Sequence, residues 1–208
     1  NPSAFQGLGS DSFKLANEVK KETGLGFISE VTDPRQISDL MNVVDAFQVG
    51  SRNMYNYSLL SELGKTQKPV LLKRGFSGLI DEWLNAAEYI TKENNPNVIL
   101  CERGIRSFET KTRNTFDINA IAYLKQNCDY PIIADPSHGT GVRSLVTPVA
   151  LAAAAAGADG LMIEVHPDPD NALSDGFQTL SFEQFDLLMQ KLRVIVPAVG
   201  LKLDTLES

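Results

Sequence analysis

The sequence predicts an α/β fold, a (β/α)8 TIM barrel that is incomplete, with six strands present and the first two missing. Three observations predict it. Short runs rich in Val, Ile and Leu alternate with segments of helical spacing, as in a parallel sheet flanked by helices. The repeat length, about 20 to 35 residues, is that of a βαβ unit. Polar side chains stand at the C-terminal end of every apolar run, and a barrel draws its site from many strand ends around one mouth. An open doubly wound sheet gathers its ligands at one switch point instead, and no glycine-rich phosphate loop follows any strand here.

Each element follows from local chemistry. A helix is expected over "SDSFKLANEVKKETG", ahead of the first strand. Strands are expected at "GFISEV" (26–31), "AFQVGS" (46–51), "PVLLKRG" (69–75), "NVILCERG" (97–104), "PIIADPSH" (131–138) and "GLMIEVHP" (160–167). Glu30, Arg52, Lys73, Arg103, His138 and Glu164 mark their C-terminal ends. "DPRQISDLMNVV" opens on Asp33, an N-cap type, with Pro34 at the first helical position. "LIDEWLNAAEYITKE" repeats apolar residues three and four apart. "TRNTFDINAIAYLKQN", "RSLVTPVALAAAAAG" and "SFEQFDLLMQKLRVIV" behave likewise. Gly157 is a natural C-cap, and Pro148 implies a late helix start or a kink. With a helix between each pair of successive strands, one before the first and one after the last, the tally is six strands and seven helices.

A closed eight-stranded barrel takes about 250 residues. With 208 residues, and with "NPSAFQGLG" reading as a loop that leaves a strand, the chain is expected to begin inside its fold. The expected organisation is one N-terminally truncated barrel domain over residues 1–208, without a regulatory domain. Hydrophobic residues make up 43% and charged residues 22%, the balance of a soluble globular protein. Neither a membrane-spanning run nor a signal peptide is expected. With a net charge of −7 and no basic stripe, no nucleic-acid partner is expected. Cys101 and Cys128 form neither a metal pair nor a disulfide framework, so a reduced, cytoplasmic protein is expected.

The stretch "EVHPDPDNALSDG" (164–176) puts a Glu, a His and three Asp directly after a buried strand. Alternation sends Met162, Glu164 and His166 to one face and Ile163 and Val165 to the other. With the apolar pair against the helices, Glu164 points into the mouth, where a buried carboxylate needs a partner. His138 ends the preceding strand and lies beside it. His138, Glu164 and one Asp of the following loop make a mixed nitrogen and oxygen donor set for a divalent transition metal. A plain hydrogen bond between His138 and Glu164 is the alternative that spacing leaves open. His166, two residues further out, fits a loop or supporting role better than a ligand role.

A second grouping is cationic: Arg52, Lys73, Arg74, Arg103 and Arg106 lie on or just after strand ends. Alternation admits at most one of Lys73 and Arg74 to the mouth, and the shared parity of Leu71 and Lys73 favours Lys73. Cations converging on one mouth are costly unless an anion sits there. A phosphate or carboxylate suits them, with Arg as a fork and Lys as a point charge. Surface salt bridges are the weaker alternative, because the flanking residues are apolar. No G-x-S-x-G elbow supports a serine nucleophile, and Cys101 lies inside an apolar strand without a base.

"LLKRG", "ILCERGIRSFET" followed by "TRNTFDINAI", "ADPSHGTG" and "IEVHPDPDNALSDGFQTL" resemble 3-deoxy-arabino-heptulosonate 7-phosphate synthase, class I beta branch. "NPSAFQGLG", "SEVTD" and "QVGSRNMYN" fit the same family, so the resemblance covers almost the whole chain. It implies a (β/α)8 barrel condensing phosphoenolpyruvate with erythrose 4-phosphate and releasing phosphate, the first step of the shikimate pathway toward aromatic amino acids. It implies a divalent metal ion such as Mn, Fe, Co or Zn, held by His138, Glu164 and Asp175. This picks Asp175 over Asp168 and Asp170, which spacing does not. It implies that Arg52, Lys73 and Arg103 hold phosphoenolpyruvate, that Glu30 is a further site carboxylate, and that Lys73 and His138 are catalytic. A homo-oligomer is also implied.

Two motifs of that family have no match. Its fourth metal ligand is a Cys in a "GPCS"-like motif on the first strand, for which Cys101 is no substitute by position. Its "KPRT" motif would end just before Asn1. The resemblance therefore implies impaired turnover in this chain. The 3-deoxy-manno-octulosonate 8-phosphate synthases are a second, less similar family with the same fold. A non-catalytic remnant serving as a binding or assembly partner is the reading from a different class.

Overall fold

The computed structural model describes Gly9 and residues 11–204. Apart from Gly9, the opening "NPSAFQGLG" lies outside the described residues. The chain forms two compact units, residues 1–99 and 100–208.

The first unit begins with α1 (Asp11–Thr23) and β1 (Ile28–Glu30). Asp33 then caps a 3-10 turn at Pro34–Gln36, accepting from the Arg35 N–H, while Gln36 reaches back to the Asp33 N–H. The turn runs on into α2 (Ile37–Leu40), followed by β2 (Ala46–Val49) and a 3-10 turn at Ser51–Asn53. Next come α3 (Tyr57–Gly64), β3 (Val70–Lys73) and α4 (Ile80–Thr91). The three strands are parallel, with Ile28 beside Ala46 and Phe47 beside Val70. Phe47, Leu71 and Leu72 are fully buried together with Leu59, Leu60 and Leu63 of α3 and Trp83 and Ile90 of α4. The Trp83 indole N–H donates to the Leu72 carbonyl at 3.1 Å, so the buried ring leaves no polar atom unpaired.

The second unit opens within β4 (Val98–Glu102) and continues through α5 (Ile118–Asn127) and β5 (Ile132–Ala134). Then follow α6 (Pro136–Thr140), α7 (Arg143–Ala155), β6 (Gly160–Leu161), a 3-10 turn at Pro169–Asn171, and α8 (Phe182–Ala198). β5 pairs in parallel with β4 on one side and β6 on the other, with Cys101 beside Ile133 and Ala134 beside Leu161. Val146, Ala150 and Ala154 of α7 bury against Leu188, Leu192 and Val196 of α8.

Three local expectations are revised. The strand expected to reach His138 stops at Ala134, because Asp135 caps α6 and Pro136 occupies its first position. That helix raises the tally to eight α-helical segments among the described residues. The strand expected over 160–167 is regular only at Gly160–Leu161, and the chain pairs again at a single bridge, Val165 to Leu180. α7 starts at Arg143 and runs through Pro148 without a late start. The proline forfeits the bond to residue 144, and burial of Val146, Ala150, Ala153 and Ala154 offsets that loss. Among the described residues, no helix is long and apolar enough to cross a membrane.

Candidate metal centre

The side-chain parity beyond β6 decides which groups meet. Leu161, Ile163 and Val165 turn toward α8, lining an apolar cavity of about 460 Å3 with Leu188, Leu192 and Val196. Glu164 faces the other way, and its Oε1 lies 3.3 Å from Nε2 of His138. Its own N–H donates to the Ser137 hydroxyl at 3.0 Å, tying the loop to α6.

His138 is set by the same cap that ends β5. Asp135, wholly buried, accepts from the His138 N–H at 3.0 Å and lies 2.8 Å from Nδ1 of its ring. Nε2 is thereby turned to Glu164. Of the three aspartates in the loop, Asp168 accepts from the Asn171 amide and Asp170 pairs with Arg143 near the surface. Asp175 alone joins the first two. His138, Glu164 and Asp175 each offer one donor atom within 4.8 Å of the others, all partly buried. Asp175 adopts a left-handed backbone, φ 51°, which Asp tolerates better than most residues. Next to it, a Cβ on Gly176 would collide with the Pro169 carbonyl oxygen, so the tight return of the loop requires glycine.

Burial pushes the Glu164 carboxyl up, against the pull of His138 and of a hydrogen bond from Gln178. Two carboxylates and an imidazole at this spacing are the donors that a divalent cation takes, and a cation would relieve the repulsion between Glu164 and Asp175. The residues present therefore fit a metal. Cys101 is not among them, being buried within β4. His166 is engaged within its loop, its Nδ1 accepting from the Asp168 N–H at 3.0 Å.

The model of the DAHP synthetase I family matches residues 1–198. The chain belongs to that family. A relative, the phospho-2-dehydro-3-deoxyheptonate aldolase of Thermotoga maritima, is 44% identical over 98% of this chain. The chain spans 60% of the length of that relative. The crystal structure of the T. maritima enzyme superposes with a TM-score of 0.95, again covering 98% of this chain and 60% of its own. The 2-dehydro-3-deoxyphosphooctonate aldolase of Bradyrhizobium diazoefficiens is more distant, at 33% identity over 91% of this chain and 71% of its own length. The fold is accordingly that of part of a (β/α)8 barrel, each of its six parallel strands being followed by helix.

In this DAHP synthetase I chain the cations expected to hold an anion occupy different surroundings. Within the first unit, Lys73 ends β3 and is buried. Arg74 is buried too, but its Nε donates to the Gly78 carbonyl at 2.8 Å and its guanidinium lies 5.9 Å from the Trp83 ring centre, toward α4. Arg52 lies in the exposed turn after β2, with its NH2 2.8 Å from Oε1 of Glu30. In the second unit Arg103 follows β4 directly and is buried. Burial pushes its guanidinium down, and the Asp135 carboxylate is the leading influence the other way.

Sequence reasoning passed over three residues of the centre. Asp135 carried a usable signal, because Asp135-Pro136 repeats the cap pattern of Asp33-Pro34. Gln178 and Arg113 carried none. Gln178 donates to Glu164 Oε2 at 2.6 Å, and Arg113 reaches Asp175 from 62 residues away in the chain.

Proposed function

We propose that this protein condenses phosphoenolpyruvate with erythrose 4-phosphate to 3-deoxy-arabino-heptulosonate 7-phosphate and phosphate, the first step of the shikimate pathway. The observation that carries the reading is the meeting of His138, Glu164 and Asp175 within 4.8 Å, in a chain of the DAHP synthetase I family. These three residues would hold a divalent cation. When bound, such a cation supplies Lewis-acid polarisation of an aldehyde oxygen. Arg52, Lys73 and Arg103 are assigned to the carboxylate and phosphate of phosphoenolpyruvate, with Glu30 holding Arg52 in place. Lys73, a buried amine on a rigid strand, is the candidate proton source at the condensing carbons.

A second reading, condensation with arabinose 5-phosphate, is supported by the likeness to the octulosonate aldolase at 33% identity. The heptulosonate reading is favoured by the 44% identity to the heptonate aldolase. Titration calorimetry with Mn2+ tests the centre without requiring turnover. One ion should bind per chain, and binding should be lost in His138→Ala, Glu164→Ala and Asp175→Ala. Phosphate release from phosphoenolpyruvate, measured with each aldose phosphate, then reads the acceptor. The reading fails if Mn2+ does not bind and neither aldose promotes release.

A further inference from the structure

Gln178 is fully buried in the run "DGFQTL", where an uncharged carboxamide is costly unless its donors and acceptor are satisfied. It makes two hydrogen bonds of opposite polarity. Its Oε1 accepts from Arg113 NH1 at 3.1 Å, and its Nε2 donates to Glu164 Oε2 at 2.6 Å. A guanidinium has no acceptor, so Arg113 dictates which end of the amide faces it. The other end must then donate, and Glu164 must accept.

The backbone at Arg113 is anchored on both sides. Its N–H donates to the Thr140 carbonyl at 2.8 Å, and the next residue, Asn114, donates from its side chain to the His138 carbonyl at 3.0 Å. Gly141, with φ 65°, leaves room where a Cβ would strike the Arg113 side chain. From this seat the same NH1 also reaches Asp175 Oδ1 at 3.1 Å. One cation therefore acts on both acidic members of the centre, on Asp175 directly and on Glu164 through Gln178. Glu164 Oε2 is occupied, and Oε1 is the atom presented to His138.

We infer that Arg113 and Gln178 are positioning residues, which orient Asp175 and Glu164 as one-oxygen ligands and so set the affinity of the centre for a divalent cation. The inference rests on the metal-site reading above. Supporting hydrogen bonds of this kind change metal affinity by about 10- to 100-fold.

The test is Mn2+ calorimetry at neutral pH on the whole chain, with circular dichroism to check that each variant is folded. Gln178→Leu should weaken binding by about 10- to 100-fold. Gln178→Glu is nearly isosteric and adds a negative charge. A purely electrostatic role for this position predicts tighter binding, whereas positioning predicts weaker binding, because an acceptor then faces Glu164 Oε2. Arg113→Lys keeps the charge but withdraws the NH1 that serves both Gln178 and Asp175, and should weaken binding by about 10-fold. Adding Arg113→Lys to Gln178→Leu should cost less than the product of the two single effects, since both act on Glu164 through one amide. If the unaltered chain binds Mn2+ and these folded variants bind equally well, positioning is overturned while the metal site stands. If the unaltered chain does not bind, the metal-site reading itself has failed.

Discussion

Oδ2 of Asp135 lies 2.8 Å from Nδ1 of His138, and the carboxylate is wholly buried. An ionised carboxylate only accepts, so the proton of the ring is placed on Nδ1 and Nε2 is left to act as a ligand atom. Asp135→Asn keeps a side-chain oxygen for capping α6 but lets the amide present a donor to the ring. Mn2+ affinity is expected to fall by about 10- to 100-fold. Asp135→Ala should in addition lose about 1 kcal/mol from the missing cap. Calorimetry and thermal denaturation of the two variants separate these effects.

Glu164 has a carboxyl pushed above its ordinary value of 4.5, with burial as the leading cause. A raised folded-state pKa means that stability is fully present at acid pH and declines as pH rises through the folded value. Without metal, Glu164→Gln should therefore be more stable than the parent at neutral pH. The gain should shrink toward zero as pH is lowered to about 4.5. Urea melts at several pH values in a chelator would show it, and a gain that grows toward acid pH would contradict the burial argument.

Gly176 has no room for a side chain against the Pro169 carbonyl. Gly176→Ala should cost about 1–3 kcal/mol and force the loop outward. Asp175 is the adjacent residue, so Mn2+ affinity should fall as well. A variant with unchanged melting temperature and unchanged affinity would show that the loop yields freely.

Lys73 and Arg74 are adjacent, both buried and both cationic, and the Arg74 side chain is committed to the Gly78 carbonyl and the Trp83 ring. Arg74→Met should destabilise the chain by about 1.5–3 kcal/mol through its lost bond to Gly78. Any ligand it loses should follow from that unfolding alone. Lys73→Met should instead weaken phosphoenolpyruvate binding by at least about 30-fold, equivalent to about 2 kcal/mol. Binding measured well below each melting temperature distinguishes the two.

Much of the fold was legible because parallel strands announce themselves by composition and helices by period. The strand at 70–73 and the helix at 80–91 emerge where the apolar pattern places them. The end of β5 was misplaced, since a run of apolar residues carries no mark of where pairing stops. Only the Asp135-Pro136 cap marked the stop. Pro148 did not delay the start of α7, because a local penalty says nothing of how much apolar surface the rest of the helix buries.

The amino-acid order by itself determined the alternation of strands and helices, the parity that turns Glu164 away from Ile163 and Val165, and the types of donor available for a cation. Those are properties of a residue and its near neighbours, fixed by backbone period and side-chain chemistry. Residue spacing left the choice among Asp168, Asp170 and Asp175 open; the family resemblance implied Asp175, and tertiary structure brings it to His138 and alone places Arg113 and Gln178 behind both carboxylates. Those contacts join residues as much as 65 positions apart. Their geometry depends on how the loop is folded back by Gly176 and tied to α6, which no local pattern encodes.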